Sequence, residues 1–151
     1  MGDTQVDSQG VRLDNSSYRV EMHYSHLVWG EVRNLVLSSF LKGVRYGNEY
    51  FKLIDKDAYY TSYRNYIGHL LDRSRSILRL AILGGTPEVI LGWSLMEFNT
   101  LHFVFVKKDV RRQGIARALV PGRIERITHL TKTGLALWSC KTPEAKFDPF
   151  Y

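Results

Sequence analysis

The sequence has little cysteine and no long apolar run, and each shortage excludes a class of protein. Its one cysteine, Cys140, excludes an intramolecular disulfide framework and a cysteine-based zinc site. No apolar stretch approaches the roughly 20 residues of a bilayer-spanning helix, so we expect no membrane partner. The opening segment Met1-Gly2-Asp3 is polar and acidic. We therefore expect no secretory signal peptide and a cytoplasmic location.

The remaining composition is that of an ordinary globular protein. The chain has 151 residues, of which 44% are hydrophobic, enough for one core with little room for a second domain. Residues 1–16 are polar, and we expect a flexible N-terminal tail there. We expect one domain over 17–140 and an extended C-terminal tail over 141–151 that packs on it.

Positive charge is concentrated in one segment. The stretch Lys107–Lys132 contains eight basic and two acidic residues, so it carries the whole net charge of +6, and the rest of the chain is neutral. A chain that is basic throughout favours nucleic acid, whereas one basic segment favours a local anionic ligand. Alternatively, these basic residues form the solvated face of a helix and bind no ligand.

The first half of the chain combines one predicted strand with two predicted helices. Tyr18–Tyr24 alternates apolar and polar residues, as a half-buried strand does. Ser25 can cap a first helix, which we expect to end at the two glycines of Lys42–Asn48. Asp57 can cap a second helix that ends near Asp72, and we expect its tyrosines to pack in the core.

The second half is dominated by strands. Three apolar runs joined by short turns predict an antiparallel meander: Ser76–Leu83, Val89–Phe98 and Leu101–Val106. A helix opened by Gly114 and a buried strand at Gly134–Trp138 follow, and such a crossover places this last strand parallel to Leu101–Val106. We therefore predict a mixed α/β fold: an antiparallel meander, a parallel crossover and helices on both faces of the sheet.

One segment carries a chemical signal. After the strand that ends at Val106, the sequence Arg111-Arg112-Gln113-Gly114-Ile115-Ala116 opens a helix. The small residues Gly114 and Ala116 let the backbone approach a ligand closely. The first turn of a helix has unpaired N–H groups that favour anions. A strand, a small-residue loop and a helix N-terminus together predict a pyrophosphate site.

This segment resembles the signature of the GNAT superfamily, the GCN5-related N-acetyltransferases. That signature is Arg/Gln-x-x-Gly-x-Gly/Ala, which Arg111, Gly114 and Ala116 match, and the predicted element order also fits over about residues 17–140. The resemblance implies an acyl-CoA cosubstrate, with acetyl-CoA expected and no metal. It also implies that an acceptor amine attacks the thioester directly.

The resemblance further implies which residues hold the donor. Backbone N–H groups from Arg111 through Ala116 would bind the pyrophosphate, and the strand edge at Phe105 and Val106 would pair with the pantetheine arm. Lys107, Lys108 and Arg112 would meet the 3′-phosphate or the adenine. Besides Lys108, the candidate set is Phe105, Val106, Lys107, Arg111, Arg112, Gln113, Gly114, Ile115 and Ala116.

Three residues are candidates for proton transfer. A base must take the proton of the acceptor ammonium, and Glu97 and His102 are the titratable residues nearest to the expected acyl group. Each has a structural alternative, because both lie at strand ends where simple solvation is expected. Tyr151 can protonate the thiolate only if the C-terminal tail folds back over the cleft.

The chain departs from the family pattern at two places. Pro121 lies inside the helix expected from Gly114 to about Leu130, so this helix should stop or kink near Val120 and then restart. The helix and hairpin that shape the acceptor site in the family have no counterpart in the short stretch after Trp138. The acceptor side is then open to a macromolecule, or a second subunit completes it in a homodimer.

Three functions therefore stay open. The first is an N-acyltransferase whose acceptor is an amine on a protein or a small molecule. The second is modification of nucleic acid, as in the Mom DNA-modification proteins, which resemble the same family; the basic segment and Tyr59, Tyr60, Tyr63 and Tyr66 would then form a charged stacking surface. The third is a non-catalytic domain that binds CoA or a protein partner.

Overall fold

The computed structural model describes residues 17–22, 29–134 and 144–151. Their helices and strands are, in chain order, β1 (Tyr18–Glu21), α1 (Trp29–Tyr46), α2 (Lys56–Asp72), β2 (Ser76–Leu83), β3 (Thr86–Glu97), β4 (Thr100–Val106), α3 (Ile115–Leu119), β5 (Arg126–Ile127) and β6 (Lys146–Phe147). Single turns of 3-10 helix lie at Phe51–Leu53 and Lys108–Val110. None of the helices in these ranges is both long and apolar enough to cross a membrane.

The six described strands form one mixed sheet in the order β1-β2-β3-β4-β5-β6. The first four pair antiparallel, whereas β5 runs parallel to β4 and β6 runs parallel to β5. Leu80 and Ile82 of β2 pack against α1 and α2, and Ala81 between them packs on the opposite side with α3. The predicted mixed α/β fold, with an antiparallel meander, parallel pairing after β4 and helices on both faces, is confirmed.

The larger core lies between the sheet and the helices α1 and α2. Phe40 of α1 stacks on Phe103 of β4 with ring centroids 4.6 Å apart. Tyr59 of α2 is buried and donates its hydroxyl to the Leu41 carbonyl at 2.7 Å. The other α2 tyrosines named above are partly buried against the same core. These rings therefore pack in or against the core, as the sequence analysis predicted.

The helix boundaries differ from the prediction. α1 continues past Gly43 to Tyr46, and Gly43 lies so close to Phe103 that an added Cβ would be 2.8 Å from the ring. That glycine permits close packing and does not end the helix. The cap of α2 is Asp55, whose carboxylate accepts the Ala58 N–H at 2.9 Å, and not Asp57. Ser25 lies outside the described residues.

Strand boundaries are closer to the prediction. β2 has the predicted bounds, and β1 covers the first four residues of its predicted strand. β3 begins at Thr86 and not at Val89, because the turn after β2 is tight and Leu83 already pairs with Thr86.

The largest correction concerns the segment after α3. The helix stops at Leu119, before Pro121, as expected, but it does not restart toward Leu130. Arg126 and its neighbour instead form β5, where Arg126 pairs with Thr100. In the predicted strand 134–138, Gly134 belongs to a helical turn and the other residues lie outside the described part. In the described part of the chain, the parallel neighbour of β4 is therefore β5.

The C-terminal residues lie along β5. The Lys146 N–H donates to the Glu125 carbonyl and the Asp148 N–H to the Ile127 carbonyl, both at 2.9 Å. The Tyr151 ring lies 4.3 Å from the Arg126 guanidinium. The division of the chain after residues 16 and 140 stays a prediction, since both places lie outside the described residues.

Candidate active site

β4 loses its outer neighbour after Leu101. Pairing with β5 covers only Thr100 and Leu101, and a backbone bond from the Thr128 N–H to the Leu101 carbonyl follows at 3.1 Å. In the described ranges, no strand lies beside Phe103–Val106 on this side. An open strand edge presents N–H and C=O groups with which an extended ligand can pair.

β4 also bulges where it separates from β5. Leu95 pairs with Phe103, whereas the next residue, Met96, pairs with Leu101, so His102 has no partner in β3. A bulge bends the strand and frees backbone groups from the ladder. The open edge of β4 therefore begins at a bulge.

The Arg111–Ala116 segment follows this edge directly. After the 3-10 turn at Lys108–Val110, the chain turns into α3 through two positive φ angles, 62° at Arg112 and 82° at Gly114. Gly114 adopts this conformation without strain, whereas Arg112 does not. An added Cβ on Gly114 would be no closer than 3.7 Å to its nearest neighbour, the Tyr18 hydroxyl. Glycine is therefore favoured at this position by its backbone angle and not by a lack of space for a side chain.

Arg111 has a role inside the loop. Its Nε donates to the Val106 carbonyl at 2.9 Å, which fixes the loop against the end of β4. Its own N–H donates to the Lys108 carbonyl at 3.4 Å. Val106, expected to pair with a ligand, thus has its carbonyl engaged within the chain. Ligand pairing has to use other backbone groups of this edge.

The surface around the loop is cationic. The basic residues between 107 and 117 are all exposed, namely Lys107, Lys108, Arg111, Arg112 and Arg117, and Asp109 is the one acidic residue among them. The first backbone bond of α3 runs from the Ala118 N–H to the Gly114 carbonyl at 3.0 Å. The N–H groups of Ile115 and Ala116 precede it, as in the first turn of any helix.

Glu97 and His102 are buried, contrary to the solvation expected for strand ends. Their side chains come together, with Glu97 Oε1 3.7 Å from His102 Nε2. The same oxygen accepts from the Arg73 guanidinium at 3.2 Å and lies 3.5 Å from the Ser76 hydroxyl. Burial lowers the pKa of His102, and the Glu97 carboxylate opposes that effect in part. The imidazole is therefore mainly neutral at pH 7.

Further polar side chains continue from His102 across the core. His102 Nδ1 lies 3.0 Å from Thr128 Oγ1, and that oxygen lies 2.8 Å from His129 Nδ1. His129 Nε2 lies 3.1 Å from the Tyr63 hydroxyl. Sequence analysis missed Thr128 and His129, because it assigned both to a continuous helix. Tyr63 was expected as a packing residue of α2.

Tyr151 lies beside the same group. Its ring centroid is 6.2 Å from that of His102, so the C-terminal segment brings it to the bulge of β4. The three predicted proton-transfer residues thus lie together at one end of β4, and the predicted donor loop follows its other end. His102 and Val106 are separated by about 13 Å of extended strand. Among the described residues, no group of three or more His, Cys, Asp or Glu side chains could hold a metal ion.

Comparison with known proteins gives similarities at the level of fold. No protein-family model and no curated protein matches the chain. An acetyltransferase of the GNAT family from Staphylococcus aureus Mu50 is similar with a TM-score of 0.41 and 21% identity, over 68% of this chain and 61% of that one. An aminoglycoside acetyltransferase from an uncultured soil metagenomic sample is similar with a TM-score of 0.46 and 13% identity, over 89% and 93%. The chain thus spans about three fifths of the first neighbour, and both neighbours are acetyltransferases.

Proposed function

We propose that the protein is an acyl-CoA-dependent N-acyltransferase that transfers an acetyl group to an amine. One observation carries the proposal: β4 loses its neighbour after Leu101 and leads directly into the Arg111–Ala116 loop. A ligand with a long neutral arm and an anionic head suits this arrangement. The arm pairs with the open edge, and the phosphates meet the cationic loop.

The donor would be bound mainly by backbone. The open edge of β4 holds the pantetheine arm, with Arg111 keeping the end of β4 in shape through the Val106 carbonyl. The Phe105 carbonyl itself points toward Gly92 of β3 and is not part of this edge. N–H groups between Arg112 and Ala116 bind the pyrophosphate. The exposed cations Lys107, Lys108 and Arg112 add charge attraction to the remaining phosphate, and no metal is required.

The reaction forms one bond and breaks one. The amine nitrogen attacks the thioester carbonyl carbon, the C–N bond forms, and the C–S bond then breaks to release the CoA thiolate. A base must first take the proton of the ammonium, and the buried pair of Glu97 and His102 is the proposed group for this step. Tyr151, beside His102, is the proposed donor of a proton to the thiolate.

The acceptor is proposed to be an amine on a protein or a small molecule. Tyr59 is buried and the other three tyrosines of α2 are partly buried against the core, which disfavours the stacking surface that nucleic acid would need there. The cations around Arg112 are accounted for by the phosphates of the donor. A site that only binds CoA has no use for the buried pair of Glu97 and His102, which favours an enzyme. The proposed location is the cytoplasm.

Thermal unfolding with acetyl-CoA tests the proposal. At a hundred times its dissociation constant, a ligand adds about 2.7 kcal/mol to the free energy of unfolding, which raises Tm by roughly 5–10 °C in a domain of this size. We expect this shift with acetyl-CoA and with CoA, and not with ATP. Equal shifts with ATP indicate a general anion surface, and no shift contradicts a donor site.

A matched pair of variants locates the site. Gly114→Val fills the space over the loop and should abolish the shift. Gly122→Val is the control, because Gly122 has the same φ of 82° and no neighbour within 4 Å, and it lies outside the loop. Both variants carry the same backbone strain, so a shift lost in both would contradict the assignment to Gly114.

A further inference from the structure

Five side chains from four parts of the fold form one continuous polar path through the core. In spatial order they are Glu97, His102, Thr128, His129 and Tyr63, and we call them the polar chain. The successive distances between their nearest polar atoms are 3.7, 3.0, 2.8 and 3.1 Å. The proposed function uses the first two residues and gives the other three no role.

The hydrogen positions along this path follow from its Glu97 end. His102 Nε2 is buried without a hydrogen-bond partner among the described residues, and it faces the Glu97 carboxylate. A neutral imidazole has one N–H. The nitrogen that faces a carboxylate carries this hydrogen, because two lone pairs facing each other repel. His102 Nδ1 is therefore the acceptor of its ring.

The remaining positions follow from this assignment. Thr128 donates its single hydroxyl hydrogen to His102 Nδ1, so Thr128 Oγ1 must accept from the Nδ1–H of His129. His129 Nε2 is left as an acceptor, and the Tyr63 hydroxyl donates to it. Every donor in the polar chain thus points from Tyr63 toward Glu97.

Burial keeps the groups in the states that this solution requires. It lowers the pKa of His129 to about 4, with a smaller contribution from His102, so the ring is neutral at pH 7. Burial also raises the pKa of Tyr63 to about 12, so the phenol keeps its hydrogen.

A second arrangement competes with this one. The Thr128 hydroxyl also lies 3.4 Å from the His102 carbonyl oxygen and could donate there. Both histidines would then donate Nδ1–H to Thr128, and a bare His102 Nε2 would face the carboxylate. The shorter contact of 3.0 Å to His102 Nδ1 and the charge on Glu97 both favour the first arrangement.

We propose that the polar chain is a proton relay that serves the proposed acyl transfer, with Tyr63 as its entry and Glu97 as its final acceptor. The ammonium proton passes to the Tyr63 oxygen while the Tyr63 hydrogen passes to His129 Nε2. The Nδ1 hydrogen of His129 moves to Thr128, and the Thr128 hydrogen moves to His102 Nδ1. The Nε2 hydrogen of His102 then moves to Glu97 across a gap that must shorten from 3.7 Å. The net result is a neutral amine and a carboxylic acid.

The two ends of the relay each reach a partly exposed side chain. His129 is two residues after β5, at the place where the edge of β4 opens, and its partner Tyr63 is only partly buried. Tyr63 is therefore the proposed catalytic residue, whereas His129 and Thr128 act through it as positioning residues. At the other end, the Glu97 carboxyl group that takes the proton is paired with Arg73, whose side chain is half-exposed.

Ring nitrogen NMR tests the direction without any substrate. In 15N-labelled protein at pH 7, we expect neutral His129 with its hydrogen on Nδ1 and neutral His102 with its hydrogen on Nε2. Tyr63→Phe should shift the His129 Nε2 resonance, and Tyr60→Phe, one turn earlier on α2, should leave it in place. A hydrogen on His102 Nδ1, or a charged ring, overturns the relay.

Kinetics with two amine probes test its use. At pH 7.5 ethylamine is protonated and must lose a proton, whereas hydroxylamine is already a free amine. Tyr63→Phe should lower kcat for ethylamine about 100-fold, leave KM for acetyl-CoA unchanged, and change kcat for hydroxylamine little. The loss for ethylamine should shrink as the pH rises, because a larger fraction of this amine is then already deprotonated and needs no base. The other charged or titratable side chains that face the path are Arg73, Tyr66, Arg126 and Tyr151.

The outcomes separate the relay from the function on which it rests. Equal losses for both amines, or unchanged kcat for ethylamine, overturn the relay while acyl transfer stands. If the wild type acetylates neither amine and acetyl-CoA gives no Tm shift, the proposed function fails and the relay fails with it, whatever the histidine tautomers are.

Discussion

The two ends of β4 are built on opposite principles. After its last residue, Val106, the chain forms a cationic loop whose charged side chains are exposed, and Arg111 and two positive φ angles hold its shape. Near its beginning, His102 belongs to a buried polar path whose side chains are mainly neutral. The first arrangement suits the binding of an anion. The second suits the movement of a proton, which needs neutral, desolvated donors and acceptors.

The difference has an energetic side. Exposed charges contribute little to stability, because water screens them. A buried polar atom that loses its partner costs the full desolvation penalty. Substitutions in the loop should therefore affect ligand affinity, and substitutions in the polar chain should affect the free energy of unfolding as well.

Lowering the pH should destabilise the buried end most and give the largest effect. The pKa of His129 is about 4 in the folded protein, mainly because of burial, against 6.5 as its ordinary value. The neutral ring is favoured by folding, so its contribution is complete above pH 6.5 and is lost as the pH falls toward 4. The loss is about 3 kcal/mol by linkage, which urea unfolding at pH 7 and pH 4 measures. His129→Gln removes this group, and an equally steep pH dependence in that variant would contradict the assignment.

Removing the central hydroxyl should cost nearly as much. Thr128→Val keeps the shape of the side chain and leaves His102 Nδ1 and His129 Nδ1 without their shared partner. We expect a loss of about 2 kcal/mol in the free energy of unfolding at pH 7. Thr133→Val is the control, because Thr133 is exposed. Equal stabilities for the two variants would mean that removing the buried Thr128 hydroxyl costs no more than removing an exposed one.

The loop could be predicted from the sequence because its parts are contiguous. Arg111, Gly114 and Ala116 lie within six residues, and local rules on small residues and helix ends apply to them directly. The signature also showed which strand the loop must follow. What the sequence did not show is that Arg111 turns inward to the Val106 carbonyl, since nothing local determines that contact.

The polar chain could be predicted only in part, because tertiary packing assembles it. Glu97 and His102 were recognised from their position near the expected acyl group, but their burial was not. Thr128 and His129 lie in a segment with helical character, and the pairing of the preceding residues with β4 overrides that local preference. Once the helix is replaced by β5, both side chains come into contact with the core.

Charge reversal in the loop should lower ligand affinity more than stability. Arg111→Glu opposes the phosphates of the proposed donor and removes the bond to the Val106 carbonyl. We expect a loss of at least tenfold in acetyl-CoA affinity by calorimetry, equivalent to about 1.4 kcal/mol, with a change of about 1 kcal/mol in stability. Arg123→Glu makes the same charge change in an exposed residue outside the loop. Equal losses of affinity would show that only the net charge matters.

The smallest effect is expected at a single exposed cation of the loop. Lys108→Ala removes one solvated charge, so the free energy of unfolding should change by less than about 0.5 kcal/mol. Acetyl-CoA affinity should fall by a few-fold at low ionic strength, and the difference from wild type should shrink as salt screens the phosphates. Calorimetry at two salt concentrations measures both affinities. A loss of affinity that does not depend on salt would mean that Lys108 makes a desolvated contact with the ligand, and the exposed end of β4 would then resemble the buried one.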